Sequence, residues 1–332
     1  MAGSSSPGRR RPGSVRSALR FGLAALLVAD LCLLGVGLAV VAGGSALPAA
    51  GRDHVAGAGD QAAPGPGSSP APAGDASGST APGPSPLASQ VATDPAGLAD
   101  QLASALTAIS DPATPAADLS RLGQLEQLDY GALGANRDWQ PVVLAALPAH
   151  LQGAASLVVD AGNALDALDS GTPASDTLPD WSILAPLPAA TLLGYYHAAG
   201  AATGVPWSVL AAINLIETRL GRIHGDSPAG AQGPMQFIPT TWAIYGEGGN
   251  IDSSADAIPA AARLLAAEGA PADMAGAVYH YNASHDYVTA VLDYAEVMDG
   301  DPRAFSGFYQ WQVFVTTRHG DLLLPVGYRP AS

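Results

Sequence analysis

The sequence has no lysine and only one cysteine, Cys32. All 14 basic residues are therefore arginine, and with 29 acidic residues the formal net charge is −15. A lone cysteine excludes an intrachain disulfide and a cysteine-based zinc cluster. Arginines concentrate in residues 1–20, so the rest of the chain is strongly acidic. Because nucleic-acid affinity depends on basic side chains at phosphates, the composition excludes nucleic acid as a partner.

Metal-binding patterns are missing as well. The histidines do not show the HExxH spacing of zinc peptidases. The acidic residues of 251–256 lack the regular ligand spacing and the closing glutamate of a calcium loop. The sequence therefore predicts neither a metal nor another cofactor.

An apolar run at 21–42 follows the arginine-rich residues 1–20 and contains one charge, Asp30. About 20 apolar residues suffice to cross a bilayer, and a basic flank stays on the cytoplasmic side. We therefore predict a cytoplasmic tail over 1–20 and a transmembrane anchor over 21–42. Gly44-Ser45-Ala46 leaves a cleaved signal peptide as the alternative, in which case the chain is secreted.

Glycine, proline, alanine and serine dominate residues 43–93. Such a composition buries too little apolar surface to offset the chain entropy lost on folding. We predict a disordered linker that holds the following residues away from the membrane.

Helical signals begin at Asp94, a predicted N-cap followed by proline, and the fold class is predicted to be mainly α. A helical segment is expected over 94–180, with Pro148 dividing a long pattern. Within 181–300 we predict helices at 189–203, 206–219, 239–245, 255–268, 271–281 and 285–298. The C-terminal extension, 301–332, is expected to contain a small β-hairpin formed by Trp311–Thr316 and Leu322–Val326.

Glu217 lies at the margin of the apolar stripe of the predicted helix 206–219, near its C-terminal end. Partial burial and the negative end of the helix dipole should raise its pKa. A carboxylic acid that stays protonated near neutral pH is what protonation of a glycosidic oxygen requires. The alternative is a surface glutamate at a helix end, paired with Arg219 or Arg222.

A loop rich in glycine and amide side chains, residues 227–242, follows this helix. Glycine lets a polymer approach the backbone, and serine and glutamine offer neutral hydrogen bonds to sugar hydroxyl and acetamide groups. Tyr281-Asn282 comes later in the chain and could hydrogen-bond the catalytic carboxyl or a sugar.

These motifs, taken in order, resemble the three signatures of the lysozyme-like lytic transglycosylases, the SLT domain superfamily. The signatures are Ile216-Glu217-Thr218, Gly233-Pro234-Met235-Gln236-Phe237 and Tyr281-Asn282. The residues of these motifs are similar to those of membrane-bound lytic transglycosylase B and its relatives. The resemblance spans about 185–300 and implies a lysozyme-like catalytic domain over 181–300, in a bacterial cell envelope.

The resemblance also implies residue roles and a reaction. Glu217 would act as general acid and then as general base, and Tyr281 and Asn282 would position it or the glycan. The loop would contact peptidoglycan strands through four further residues: Ser227, Gly233, Met235 and Gln236. The β-1,4 bond from N-acetylmuramic acid to N-acetylglucosamine would break without net water, leaving a 1,6-anhydromuramoyl end.

Two alternatives stay open. The first is a goose-type lysozyme-like hydrolase on the same fold, in which Asp226 or another acid activates water, as two-carboxylate glycosidases do. The second is a catalytically inactive wall-binding or scaffold protein.

Overall fold

Helices make up most of the structure, a computed structural model that describes residues 81–170 and 174–330. The prediction of a mainly α protein is confirmed. Within those ranges the chain forms eleven α-helices, α1 to α11. In order they are Pro95–Ser110, Ala116–Ala135, Gln140–Ala146, Ala149–Asp169, Ala189–Thr203, Trp207–Thr218, Pro239–Tyr245, Ser254–Ala267, Met274–Tyr281, His285–Gly300 and Ala304–Phe308.

Proline, glycine and aspartate set many of the helix ends. The Asp94 side chain accepts a hydrogen bond from the amide of Gly97 and caps α1, as predicted. Pro148 separates α3 from α4. α5 has the predicted bounds and ends at Gly204, which adopts the left-handed conformation. α9 begins at Met274, three residues after the predicted start at 271, because the Asp273 side chain caps it by accepting from Gly276.

In the same described ranges, four short strands form two antiparallel pairs. β1 (Ser182–Ile183) pairs with β2 (Ile223–His224). β3 (Val313–Thr317) and β4 (Gly320–Leu324) form the predicted C-terminal hairpin. Its connection is shorter than the predicted 318–321, because Gly320, with φ 117°, already pairs with Thr317.

Residues 81–93 pack onto the folded unit, although the sequence places them in the disordered linker. The amide of Gly83 donates to the carbonyl of Leu323 over 3.2 Å, and the amide of Leu323 donates back over 2.7 Å. Leu87 and Val91 then cover a buried cluster of Leu128, Phe314 and Leu323. Leucine and valine supply the apolar contact that the composition of 43–93 as a whole does not suggest. The folded region therefore includes residues 81–93.

α6 runs through the main hydrophobic core, and every residue from Ser208 to Thr218 is buried. α10 packs against both α4 and α6. The same core takes in residues of 94–180, such as Leu98 and Val158, so the helical segment and the following region share one interior.

The predicted anchor, 21–42, lies outside the described residues. None of the helices in the described ranges is long and apolar enough to cross a membrane.

Candidate active site

Glu217 is the penultimate residue of α6 and is only 4% exposed. The hydroxyl of Tyr287, from α10, donates a hydrogen bond to its Oε1 over 2.6 Å. The other oxygen, Oε2, has no hydrogen-bond partner in the described part of the chain and is not completely enclosed. The interpretation of Glu217 as a surface glutamate paired with arginine does not hold, because the residue is buried.

Burial raises the pKa of Glu217 to about 8, and the hydrogen bond from Tyr287 lowers it in part. The carboxyl is therefore mostly neutral at pH 7. Because Tyr287 donates to Oε1, the proton of the neutral carboxyl is assigned to Oε2. The raised pKa and burial as its cause agree with the expectation from the sequence.

The chain leaves α6 through three consecutive residues in the left-handed region. The φ angles of Arg219, Leu220 and Gly221 are 54°, 59° and 80°. Such a run costs conformational energy at the two residues that are not glycine, so other contacts must hold it.

Arg222 supplies such contacts. Its Nε donates to the carbonyl of Trp311 over 2.9 Å, and its NH2 group donates to the carbonyl of Tyr309 over 2.5 Å. The guanidinium of Arg219 also lies over the Trp311 ring, 5.6 Å from its centroid. The end of the helix that carries Glu217 is thus fixed to the C-terminal extension.

A buried polar network fixes the loop 227–237 to α6. The hydroxyl of Thr218 and the side-chain amide of Asn214 both donate to the carbonyl of Pro234, each over 2.7 Å. The hydroxyl of Tyr196 donates to Asn214 over 2.6 Å and orients it. These buried groups are hydrogen-bond partners of one another, so the network holds the loop in one position.

Ser227 and Gln236, two of the predicted contacts, shape the loop from within. The Ser227 hydroxyl accepts from the amide of Ala231 over 2.9 Å, and the Gln236 side chain donates to the carbonyl of Gly233 over 2.9 Å. Gly233 has φ 72°, and an added Cβ would lie 1.9 Å from the carbonyl oxygen of Ile251. Glycine is therefore required at this position for the loop to pack.

Met235 does not line a cleft, although the resemblance assigns it to the sugar site. Its side chain is completely buried in the main core. Its backbone carbonyl accepts a hydrogen bond from the hydroxyl of Tyr281 over 2.6 Å, which joins the second and third motifs. Burial and the charge of Glu217 raise the pKa of Tyr281 well above its ordinary value, which places Tyr281 close to that carboxyl.

Gln236 and Asn282 each hold one enclosed oxygen with no partner. Both side chains are 8% exposed, and neither Gln236 Oε1 nor Asn282 Oδ1 has a hydrogen bond within the described ranges. Enclosed polar atoms are normally satisfied, so each exception calls for an explanation. Both oxygens can accept a hydrogen bond from an amide or hydroxyl group.

A cleft of about 440 Å³ opens beside this loop. Gly233 and Pro234 form one wall, and the walls also include Tyr195, Leu220 and Asp226. Asp226 is exposed there and accepts from the Gln232 side chain over 3.1 Å. Glu217 is not among the lining residues, so the cleft reaches the loop that α6 holds and not the carboxyl itself.

No group of three or more histidine, cysteine, aspartate or glutamate residues among those described is arranged to hold a metal ion. Comparison of the chain with protein-family models, with curated proteins and with solved structures found no match.

Sequence reasoning did not assign roles to three residues that build the site. Tyr287, Asn214 and Tyr196 lie outside the three signatures. A polar residue within the apolar stretch of α6 was the available signal for Asn214, since a buried amide needs partners. The contact between Tyr287 and Glu217 spans 70 positions and is set by tertiary packing.

Proposed function

We propose that the chain is a peptidoglycan lytic transglycosylase with a lysozyme-like catalytic region. The observation that carries the proposal is the buried carboxyl of Glu217, with one oxygen held by Tyr287 and the other unpartnered. Burial raises its pKa to about 8, which keeps the proton available for a glycosidic oxygen. The three motifs that resemble the transglycosylase signatures also converge on this helix and loop.

In the proposed reaction, Glu217 donates the proton on Oε2 to the leaving oxygen of the N-acetylglucosamine unit, and the bond to the muramoyl C1 breaks. The resulting carboxylate then takes the proton from the muramoyl C6 hydroxyl, whose oxygen closes onto C1. The carboxyl ends protonated, as it began, so one residue serves both steps. Gln236 Oε1 and Asn282 Oδ1 are acceptors that would meet amide or hydroxyl groups of the glycan.

The test is cleavage of purified peptidoglycan by the full chain and by Glu217→Gln. General acid–base catalysis contributes about 10²- to 10⁴-fold, so we expect a loss of that size in released glycan. Glu247→Gln, at an exposed glutamate paired with Arg263, is the matched control and should retain activity. Equal release by Glu217→Gln and the unchanged chain would reject Glu217 as the acid, and no release by either would favour a wall-binding protein.

A hydrolase is the second candidate, because Asp226 lies in the cleft wall beside the loop. Mass spectrometry of the released fragments separates the two reactions. The transglycosylase leaves 1,6-anhydromuramoyl ends, whereas a hydrolase that uses Asp226 to activate water leaves reducing ends. Reducing ends alone, lost in Asp226→Asn, would replace our proposal.

A further inference from the structure

A second cavity, of about 760 Å³, lies between α1, α2, α4, α10 and α11. It shares no lining residue with the cleft beside the loop 227–237. Aliphatic side chains form a large part of its walls, and they include Leu106, Ile109, Leu151, Leu157, Val158 and Val297. Its volume lies within the range of about 300–1,000 Å³ typical of small-molecule sites.

One carboxyl, that of Glu126, lies in the wall of this cavity and is 2% exposed. Its Oε2 accepts a hydrogen bond from the indole of Trp311 over 3.2 Å. Gly307 leaves room for this oxygen, since a Cβ there would lie 2.6 Å from it. The other oxygen, Oε1, has no hydrogen bond to a described residue, and Glu126 is one of the residues that line the cavity.

Burial raises the pKa of Glu126 to about 8, with the Trp311 hydrogen bond lowering it in part. Asp129 and Tyr130 on α2 and Tyr294 on α10 are the titratable groups close to it. Burial and the charge of Glu126 raise the pKa of Asp129 to about 8 as well, so Asp129 supplies no compensating charge. At neutral pH the free oxygen of Glu126 therefore carries a proton and is a hydrogen-bond donor.

The rim of the cavity is acidic. Glu296 and Asp301 are among its lining residues, with His150 and two serines, and the guanidinium of Arg303 donates to the backbone carbonyls of Ile109 and Asp111 close by. Ser110 donates to Asp301 over 2.5 Å. An anionic head group at this rim would meet like charges, whereas an uncharged one would not.

We propose that this cavity binds a single-chain lipid with an uncharged, oxygen-bearing head, such as a monoacylglycerol. The aliphatic walls take the hydrocarbon chain, and Glu126 donates a hydrogen bond to the ester or hydroxyl oxygen. The acidic rim excludes fatty-acid carboxylates. Lipid binding at this cavity is independent of the proposed cleavage of glycans.

The test uses the full chain in phosphatidylcholine nanodiscs with a trace of monoacylglycerol that carries a photoactivatable diazirine at the end of its chain. We expect labelled peptides from α4 and α10. Gly153→Trp fills the mouth of the cavity. Its control is Gly194→Trp, at another exposed helical glycine that does not line the cavity. A Cβ added at either position meets no atom within 4 Å. Gly153→Trp should lose labelling at least fivefold, and Gly194→Trp should retain it.

A photoactivatable fatty acid of the same chain length tests the role of charge. We expect the fatty acid to label about fivefold less than the monoacylglycerol. Glu126→Leu, checked for folding by circular dichroism, should reduce labelling by the monoacylglycerol about fivefold, as expected for one lost hydrogen bond. Equal labelling by Gly153→Trp and the unchanged chain, or labels confined to other helices, would overturn the site. A fatty acid that labels as well as the monoacylglycerol would overturn the ligand class.

Discussion

At the scale of single residues, Tyr287 has two opposite effects on Glu217. Its hydroxyl holds the carboxyl in one orientation, which favours proton transfer. The same hydrogen bond stabilises the carboxylate and so lowers a pKa that burial has raised. A site built this way keeps the acid protonated at neutral pH while still supporting the carboxylate that the second step of the proposed reaction needs.

We expect the cleavage rate to fall as pH rises through about 8, because the acid form of Glu217 is lost. Tyr287→Phe removes the stabilisation of the carboxylate, so the pKa rises and this fall moves to higher pH. The rate below that pH should drop on the order of tenfold from lost orientation. The measurement is the pH dependence of glycan release, with Tyr279→Phe, at an exposed tyrosine, as control. An unchanged pH profile would contradict the assigned contact.

Asp129 should make stability depend on pH. It is completely buried, neither of its oxygens has a partner among the described residues, and its pKa is raised from 3.8 to about 8. Above pH 4 the unfolded chain releases this proton while the folded chain keeps it, so the free energy of unfolding falls as pH rises toward 8.

Asp129→Asn removes this titration, and we expect it to stabilise the protein at pH 8 by about 1–3 kcal/mol with a smaller effect at pH 5. Guanidinium unfolding at both pH values measures this. Asp118→Asn, an exposed position on the same helix, should change little. A gain at pH 5 as large as that at pH 8 would refute the role of ionisation.

At the scale of elements, α6 and the loop 227–237 behave as one structure. Thr218 follows Glu217 directly. Its hydroxyl donates to the carbonyl of Pro234 and accepts from the amide of Gly221 over 3.0 Å. The residue therefore stabilises both the loop and the left-handed turn that ends α6.

Thr218→Ser keeps this hydroxyl and should leave the free energy of unfolding and the cleavage rate close to those of the unchanged chain. Thr218→Val has the same shape without the hydroxyl, and we expect it to lose about 1–2 kcal/mol because the Gly221 amide loses its partner. Denaturant unfolding and glycan release, measured side by side, check both. Equal stability of the two variants would show that the hydroxyl is dispensable.

The elements that could be predicted from the sequence are those with a local signal. Glycine at 204, proline at 239 and the spacing of apolar residues gave α5 and α7 their bounds. The polar contacts of the site were not predictable in this way, because they join residues far apart in the chain. Met235 shows the limit clearly: its motif is recognisable, but only the packed structure places its side chain in the core.

At the scale of the whole molecule, residues 81–93 and the C-terminal hairpin belong to one packed surface. Compared with removal of residues 2–80, removal of 2–93 should lower the free energy of unfolding by about 2–4 kcal/mol. The second deletion loses the apolar contacts of Leu87 and Val91 and the two hydrogen bonds to Leu323. Denaturant unfolding of the two truncated chains measures the difference, and equal values would show that the segment adds no stability.

The pairing of Gly83 with Leu323 also has a mechanical consequence. If the predicted anchor at 21–42 holds the chain in a membrane, a pull on the chain would reach the bridge between Gly83 and Leu323 before it reached the helices. The two backbone hydrogen bonds between Gly83 and Leu323, at the edge of the hairpin, would bear that load first and break first. α6 and Glu217 lie deeper in the core, so the pairing of Gly83 with Leu323 would be lost before the carboxyl was displaced.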